Sequence, residues 1–483
     1  MPNDFIEYQN QKKDILSEPW FKPLCKIVGS ENVLYKFPEC LAYGRDRAPF
    51  ATLKYRFGKF PLSSPYLVVS PVTYDEVSEI LRLANQYELP VVPYGAGSGV
   101  MGGAVPLKNG ITIDLKRLKK IINIDRISCT ATAQAGLNGE LFEAALNKDR
   151  MTLGHFPQSL NMSTIGGWVA CRSAGQASSR YRTIEDMVIG LKTVLPGGQQ
   201  LDVCPVPRRA VGPSIKDLFI GSEGTLGIIV ETTFRVWPYP DREAIHVVGF
   251  KDYLTGLDAI RKIMQSELRP AVIRLYDEHE SRPRIANLSE YKNYPCICMF
   301  SFSGIKELVE VEKRLALKIC SEVGGIEGSP EPAYDWMQKR YESLTVGKVF
   351  KGRMADTIEV AATWINLHDL YEGIREAVEA STHDVKFGAH WSHFYSDGAC
   401  MYITFDIPAS DEALANSAHE IIWENVMMAC FKAGGTISHH HGIGYLRSRW
   451  LKQELGEGYN LLQSIKMVID PKQIMNPGKL VVK

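Results

Sequence analysis

Thirteen residues, VVPYGAGSGVMGG from Val91 to Gly103, constrain this chain more than any other stretch. An apolar run reaches Pro93, and Gly95, Gly97, Gly99, Gly102 and Gly103 follow at once. Glycine lets backbone N–H groups close on a ligand with no Cβ in the way. Several such groups in succession make a nest suited to a diphosphate. Gly97, Gly99 and Gly102 also spell G-x-G-x-x-G, which in the doubly wound dinucleotide fold runs straight into a helix. Here AVPLKNG intervenes, with a proline and a turn, and then ITIDL, which reads as a strand. No helix dipole serves the loop, so the doubly wound reading is excluded. On this stretch alone a Gly-rich surface turn stays open.

At 483 residues the chain exceeds one ordinary core, and two or more domains are expected. Lysine plus arginine equals aspartate plus glutamate, 55 each, so no nucleic-acid partner is expected. The polar start MPNDFIEYQNQKKD does not read as a secretory signal. No apolar run approaches ~20 residues, so no spanning helix is expected, and the reading is a cytoplasmic protein. The ten cysteines form no C-x-x-C, which argues against an iron–sulfur cluster or zinc knuckle and for reduced thiols.

Two further stretches repeat the glycine-and-small-polar texture. HFPQSLNMSTIGGWVACRSAGQASSRYRTIEDMVIG spans 155–190, and GSEGTLG begins at Gly221 and runs into a β-branched strand. Ahead of and around the glycine stretches, helices such as TYDEVSEILRLANQYELP, capped by Thr73, alternate with strands. Three glycine-rich stretches beside strands fit one large ligand laid along a domain. The boundaries read as a helical arm at 1–60, a ligand-binding α+β domain at 61–240, a cap domain at 241–430 and a returning helical tail at 431–483. In the cap, HVVGF, AVIRLYD and CICMFSFSG look like strands, and LTGLDAIRKIMQSE and IKELVEVEKRLALKICSEVGG like amphipathic helices.

Two places carry titratable chemistry. His439, His440 and His441 stand together between glycine turns, and a sheltered imidazole there could move protons. His390 and His393 are three apart, a metal pair by spacing alone, and Tyr395 follows. A strand tyrosine is more often packed than catalytic, and it exchanges protons only with a base within reach.

PYGAGSGVMGG, STIGGW and GSEGTLGIIVE together resemble the PCMH-type FAD-binding domain of the vanillyl-alcohol oxidase superfamily, two α+β subdomains holding FAD in an extended pose. The resemblance implies that Pro93, Tyr94, Gly95, Ala96, Gly97, Ser98 and Gly99 hold the diphosphate end. Pro157, Ser163, Thr164 and Gly167 would lie near the flavin, with Ser173, Gly175, Ile184 and Met187 along the cofactor. Glu223, Gly224, Gly227 and Ile229 would lie by the adenosine. Members that attach FAD covalently often use a histidine in or after the first glycine loop. None occurs between Val91 and Gly154, so non-covalent FAD is expected.

Within that superfamily, HHHGIG, YSDGACMY, Pro207-Arg208 with Gly212-Pro213, and His155, Pro157, Ser159, Leu160 and Gly166-Gly167-Trp168 are similar to the alkyldihydroxyacetonephosphate synthases. That family exchanges the acyl group of acyl-dihydroxyacetone phosphate for a long-chain alcohol. The resemblance implies Tyr395 and His440 as the proton-transfer pair, with His439 and His441 supporting. It also implies an antiparallel-sheet cap and a homodimer with a lipid or small-molecule substrate and peripheral membrane contact. A basic residue must hold the phosphate. Arg274, in the strand IRL, and Arg353 are the choices, with Arg340, Lys348 and Lys351 as further candidates. The runner-up is a D-lactate or glycolate type dehydrogenase passing electrons to a separate carrier; the tail IMNPGK looks more like that family. Those enzymes bind a metal through two histidines and a glutamate. One of these histidines falls here on Met401 and the glutamate on His440, so no metal site of that kind is expected.

Overall fold

The computed structural model describes residues 15–49, 51, 64–342 and 352–481. Much of the expected arm at 1–60, together with Lys348 and Lys351, lies outside the described residues. The architecture is α+β, built on three principal sheets.

The first sheet orders Val33–Leu34, Leu67–Val69, Ile111–Asp114 and Val91–Tyr94, the last three parallel. Its crossover helix, Tyr74–Gln86, starts at Thr73, whose hydroxyl accepts the Glu76 N–H at 3.1 Å. Val77, Ile80, Leu81 and Ala84 recur at helical spacing and are buried against the sheet. After Tyr94 the chain makes a long loop and enters Ile111–Asp114 with no helix between. That is why the glycine loop cannot be a doubly wound phosphate loop.

The second sheet is antiparallel, ordered Ile121–Asp125, Thr130–Gln134, Ile228–Arg235, Val188–Val194 and Gln200–Val203. Val194, Ile228 and Val230 pack into the first sheet's core with Leu67, Val91 and Ile113, which fixes the two subdomains together.

The third sheet is a seven-stranded antiparallel one, ordered Ile326–Gly328, Arg242–Phe250, Cys296–Gly304, Val272–Tyr276, Lys386–Phe394, Gly398–Pro408 and Arg353–Thr363. Strand side chains alternate between faces. Trp391, Met401, Ile403, Ile358 and Val360 are buried on one face. They share a core with Leu257 and Ile260 of helix Tyr253–Gln265 and Val309 of Lys306–Glu322. Leu370 and Ile374 of Leu367–Ser381, and Ile422 and Val426 of Glu412–Lys432, complete it. The last two helices form a second pair beyond the two the sequence suggested.

The opposite face carries a polar rung. Register places Tyr276 beside His390, His390 beside Tyr402, and Tyr402 beside Glu359. The C-terminal segment returns to the first sheet: Val91 donates to the Ile474 carbonyl and Asn476 to that of Val91, each at 2.7 Å. Among the described residues no helix is long and apolar enough to cross a membrane.

Candidate active site

The three glycine-rich stretches converge. A Cβ on Gly95 would land on Thr164 Oγ1, and one on Gly224, at φ 73°, would come within 2.6 Å of the Pro93 ring. Glu223 donates its N–H to the Ala170 carbonyl at 2.9 Å. Its carboxylate accepts the N–H groups of Ile443 at 2.6 Å and Gly444 at 2.8 Å. Asn476 closes the ring by donating to the carbonyls of Gly103 and Glu223. Asp46, missed in the sequence, is buried and accepts the Gly102 N–H at 2.6 Å. Burial pushes its carboxyl up to about 6.

This cradle fits an extended ligand with a diphosphate. Among the described residues no acceptor takes the N–H groups of Ala96, Gly97 and Ser98, which leaves three successive donors for a ligand, as a nest requires. The buried Thr164 Oγ1 has no protein partner, a group that a ligand would satisfy. Other expected contacts are already committed. Ser163 Oγ accepts from Trp168 Nε1 and donates to the Ser159 carbonyl, each at 2.7 Å. Ser173 Oγ meets His155 Nε2 at 3.0 Å. A Cβ at Gly175 would meet the Phe156 N–H at 2.5 Å, and one at Gly227 the Thr193 methyl at 2.7 Å. Those glycines therefore serve close backbone approach as well. The side chains of Ile184, Met187 and Ile229 are buried in the core, which leaves their backbones for any ligand.

The polar rung faces the loop Ser438–Gly444. Glu359, on Arg353–Thr363, is wholly buried and organises that loop. Its carboxylate accepts N–H groups from His439 at 2.6 Å and His441 at 2.7 Å, and the Arg447 guanidinium at 2.8 Å. Burial alone would raise its pKa; Arg447, His441 and the loop amide of His439 outweigh burial and hold it at about 2. Tyr395 Oη lies 2.7 Å from His439 Nε2, and His439 Nδ1 lies 2.9 Å from His440 Nδ1. One tautomer set satisfies all three groups: Tyr395 O–H donates to His439, and His439 Nδ1–H donates to His440. Burial depresses the imidazoles, His439 to about 4 and His440 well below its ordinary value. It raises the Tyr395 phenol. At neutral pH the chain of hydrogen bonds is therefore uncharged.

The sequence pairs Tyr395 with His440; the structure gives Tyr395 to His439 and puts His440 one hydrogen bond farther on. His441 reaches back to Glu359, its Nδ1 3.7 Å from a carboxylate oxygen. His390 and His393 do not form a metal pair. His390 Nε2 meets Arg274 Nη2, and His393 Nδ1 meets Ser178 Oγ, each at 2.7 Å. A β-bulge between Ser392 and Phe394 turns His393, at φ 55°, onto the rings of His439 and His440. Arg274 also donates to Tyr276 Oη at 3.0 Å and lies over the Trp336 ring. Arg353 does not reach the site. It sits at the far end of the Glu359 strand, and its fork is spent on Asp384 and Asp406. Arg340 lies over the rings of Phe156 and Tyr341.

Comparisons with known proteins identify the family and the cofactor. Residues 65–203 match the family model "FAD binding domain", and residues 239–480 match "FAD linked oxidases, C-terminal domain". The chain is 31% identical over 453 residues to alkyldihydroxyacetonephosphate synthase of Dictyostelium discoideum, covering 87% of this chain and 74% of that protein. It is 32% identical over 448 residues to an uncharacterised FAD-linked oxidoreductase of Escherichia coli K12, covering 88% and 92%. A solved alkyldihydroxyacetonephosphate synthase superposes with a TM-score of 0.80 at 27% identity, covering 95% of this chain and 84% of that one. FAD is the cofactor. The chain belongs to the FAD-linked oxidase family with a PCMH-type FAD-binding domain, which takes in the alkyldihydroxyacetonephosphate synthases.

Proposed function

We propose that the chain is an FAD-dependent transferase of the alkyldihydroxyacetonephosphate synthase type, exchanging an acyl group on a dihydroxyacetone phosphate ester for a long-chain alcohol. The observation that carries this reading is the uncharged relay Tyr395–His439–His440 beside the Arg274 cation. An exchange without net redox change must take protons from one oxygen or carbon and return them to another. Tyr395 is held protonated by burial, and His439 is held neutral beside it. As Tyr395 takes a substrate proton it passes its own to His439 Nε2, and His439 hands its Nδ1 proton to His440. Bound FAD would supply the reactive ring, with the N–H groups of Ala96, Gly97 and Ser98 and the Thr164 hydroxyl to hold the cofactor. Arg274 supplies the positive charge a substrate phosphate needs in a sheltered site. The FAD is held without a covalent link, and the enzyme acts as a homodimer on a lipid substrate, with peripheral membrane contact.

The second reading, an FAD-linked dehydrogenase of a 2-hydroxy acid with a separate electron acceptor, is favoured by 28% identity to a mitochondrial D-lactate dehydrogenase of Arabidopsis thaliana over 98% of this chain. Two measurements separate them. A labelled long-chain alcohol should enter an ether product when acyl-dihydroxyacetone phosphate is supplied. Anaerobic mixing with D-2-hydroxy acids should leave the flavin absorbance unchanged. Rapid bleaching by a hydroxy acid with no alcohol incorporation would replace the first reading with the second.

A further inference from the structure

We infer that Cys400, His439 and His440 form a binding site for a soft divalent cation, Zn²⁺ by its ligand preference, and that filling it interrupts the relay. Cys400 and His440 are 40 residues apart in sequence, which hides the set from any spacing rule. Cys400 lies on Gly398–Pro408, paired with Ser392 on one side and Ala361 on the other. Its side chain therefore rises beneath the loop that Glu359 grips. One ligand atom from each of the three residues lies within 4.8 Å of the others.

The separations suit zinc. Cys400 Sγ is 3.9 Å from His440 Nδ1, and the two Nδ1 atoms are 2.9 Å apart. Tetrahedral zinc, with its usual bond lengths to sulfur and imidazole, sets S···N near ~3.6 Å and N···N near ~3.3 Å. Small ring rotations, a few tenths of an ångström, bridge these two differences; the third side, from Cys400 Sγ to the His439 ligand atom, lies within 4.8 Å and needs the His439 ring to swing in by up to about 1 Å. A thiolate with two imidazoles selects zinc over magnesium or calcium, and water completes the fourth position. The outer contacts are in place as well. His439 turns Nε2 to Tyr395, and Glu359 fixes the backbone of both histidines. This ligand set differs from the two histidines and glutamate of the hydroxy-acid dehydrogenases.

Coordination has a defined cost to the relay. The Cys400 thiol gives its proton to solvent, and both Nδ1 lone pairs go to the metal. His439 must then carry its proton on Nε2 and donate to Tyr395, so the phenol can no longer pass a proton to it. Only this inhibitory consequence rests on the proposed relay; metal uptake is measured without turnover.

The test uses the FAD-loaded enzyme stripped by a chelator and dialysed against micromolar ZnCl₂, with zinc and flavin quantified together. One zinc ion per FAD is expected, with affinity at least about tenfold weaker in Cys400→Ser and in His440→Gln. Co²⁺ should give a thiolate-to-metal absorption band in the parent enzyme and none in Cys400→Ser. Flavin retention and thermal melting identify any variant that fails to fold, and the other variant is then read. Absence of stoichiometric uptake overturns the inference, as does uptake equal to the parent's in the folded variants, which would point to an exposed thiol such as Cys204.

Discussion

Arg447 donates to the Glu359 carboxylate at 2.8 Å, and neither side chain has any solvent exposure. The pair ties the seven-stranded sheet to the loop that carries the three histidines. Removing one charge from a buried pair leaves the other uncompensated, at about 3–5 kcal/mol. Glu359→Gln should therefore lower the melting temperature sharply and loosen the histidine loop. A variant that melts like the parent would show that the pair does not hold the loop. The Glu359 pKa is depressed to about 2, below its unfolded value. Its stabilisation is complete above the ordinary carboxylate range and is lost as pH falls toward 2.

Tyr395→Phe removes the relay's first hydroxyl and leaves the ring in place. Turnover should fall by about 10²–10⁴, the usual worth of a positioned proton-transfer group, with the flavin spectrum unchanged. His439→Asn should match it, because His439 is the direct partner. Full activity in His439→Asn together with loss in His440→Asn would restore the pairing read from sequence.

How much of this was legible beforehand depended on how local the signal was. The helix Tyr74–Gln86 announced itself through Thr73 and its apolar spacing, and the loop 95–103 through its glycines, because both signals lie within a few residues. Tyr395 and the histidines were visible through residue type and resemblance. Glu359 and Asp46 were not. Each is an ordinary acid in sequence, and its role comes from backbone amides that approach from elsewhere in the chain. The His439 partnership of Tyr395 was hidden for the same reason. The choice among three adjacent imidazoles is made by how Glu359 pins the loop, which no spacing rule reports. The spacing that suggests a metal pair of His390 and His393 ignores the bulge, which adds one residue between Ser392 and Phe394 and changes the face His393 takes.

Acid should act on this protein through its buried neutral histidines. Burial holds His155 at about 3, and burial with the Arg274 charge holds His390 at about 4, against 6.5 for a free imidazole. A depressed pKa means the unfolded chain binds the proton that the folded chain refuses. Stability should therefore be complete above 6.5 and fall as pH drops toward 4, by up to about 1.4 kcal/mol per pH unit for each histidine. Activity should follow His439, whose acid limb lies near 4 and not near 6.5. A kcat/KM profile that breaks at 6.5 would mean His439 is not the acceptor.

Gly95→Ala tests the cradle. The added methyl would displace Thr164 Oγ1, the buried hydroxyl that has no protein partner. FAD affinity should drop by at least about tenfold, a little over 1.4 kcal/mol, while the apoprotein melts within a few degrees of the parent. Retention of FAD at parental affinity would move the binding site away from the first glycine loop.

Arg274 and Arg353 make opposite predictions. Arg353 bonds to Asp384 and Asp406 at the far end of the Glu359 strand, away from the site. Asp384 is 67% exposed, so Arg353→Ala should cost about 1 kcal/mol of stability and leave KM untouched. Arg274 shares its fork between Tyr276 and His390 beside the relay, where a substrate anion would meet it. Arg274→Ala removes a charge-assisted hydrogen bond of about 1.5–3 kcal/mol, so KM for the phosphorylated substrate should rise about 10–100-fold. Lysine in its place keeps the charge and loses the fork that bonds two partners at once, so Arg274→Lys should recover part of the affinity. If substrate affinity fell with Arg353→Ala and held with Arg274→Ala, the phosphate site would lie at the far end of the Glu359 strand, away from the histidine relay.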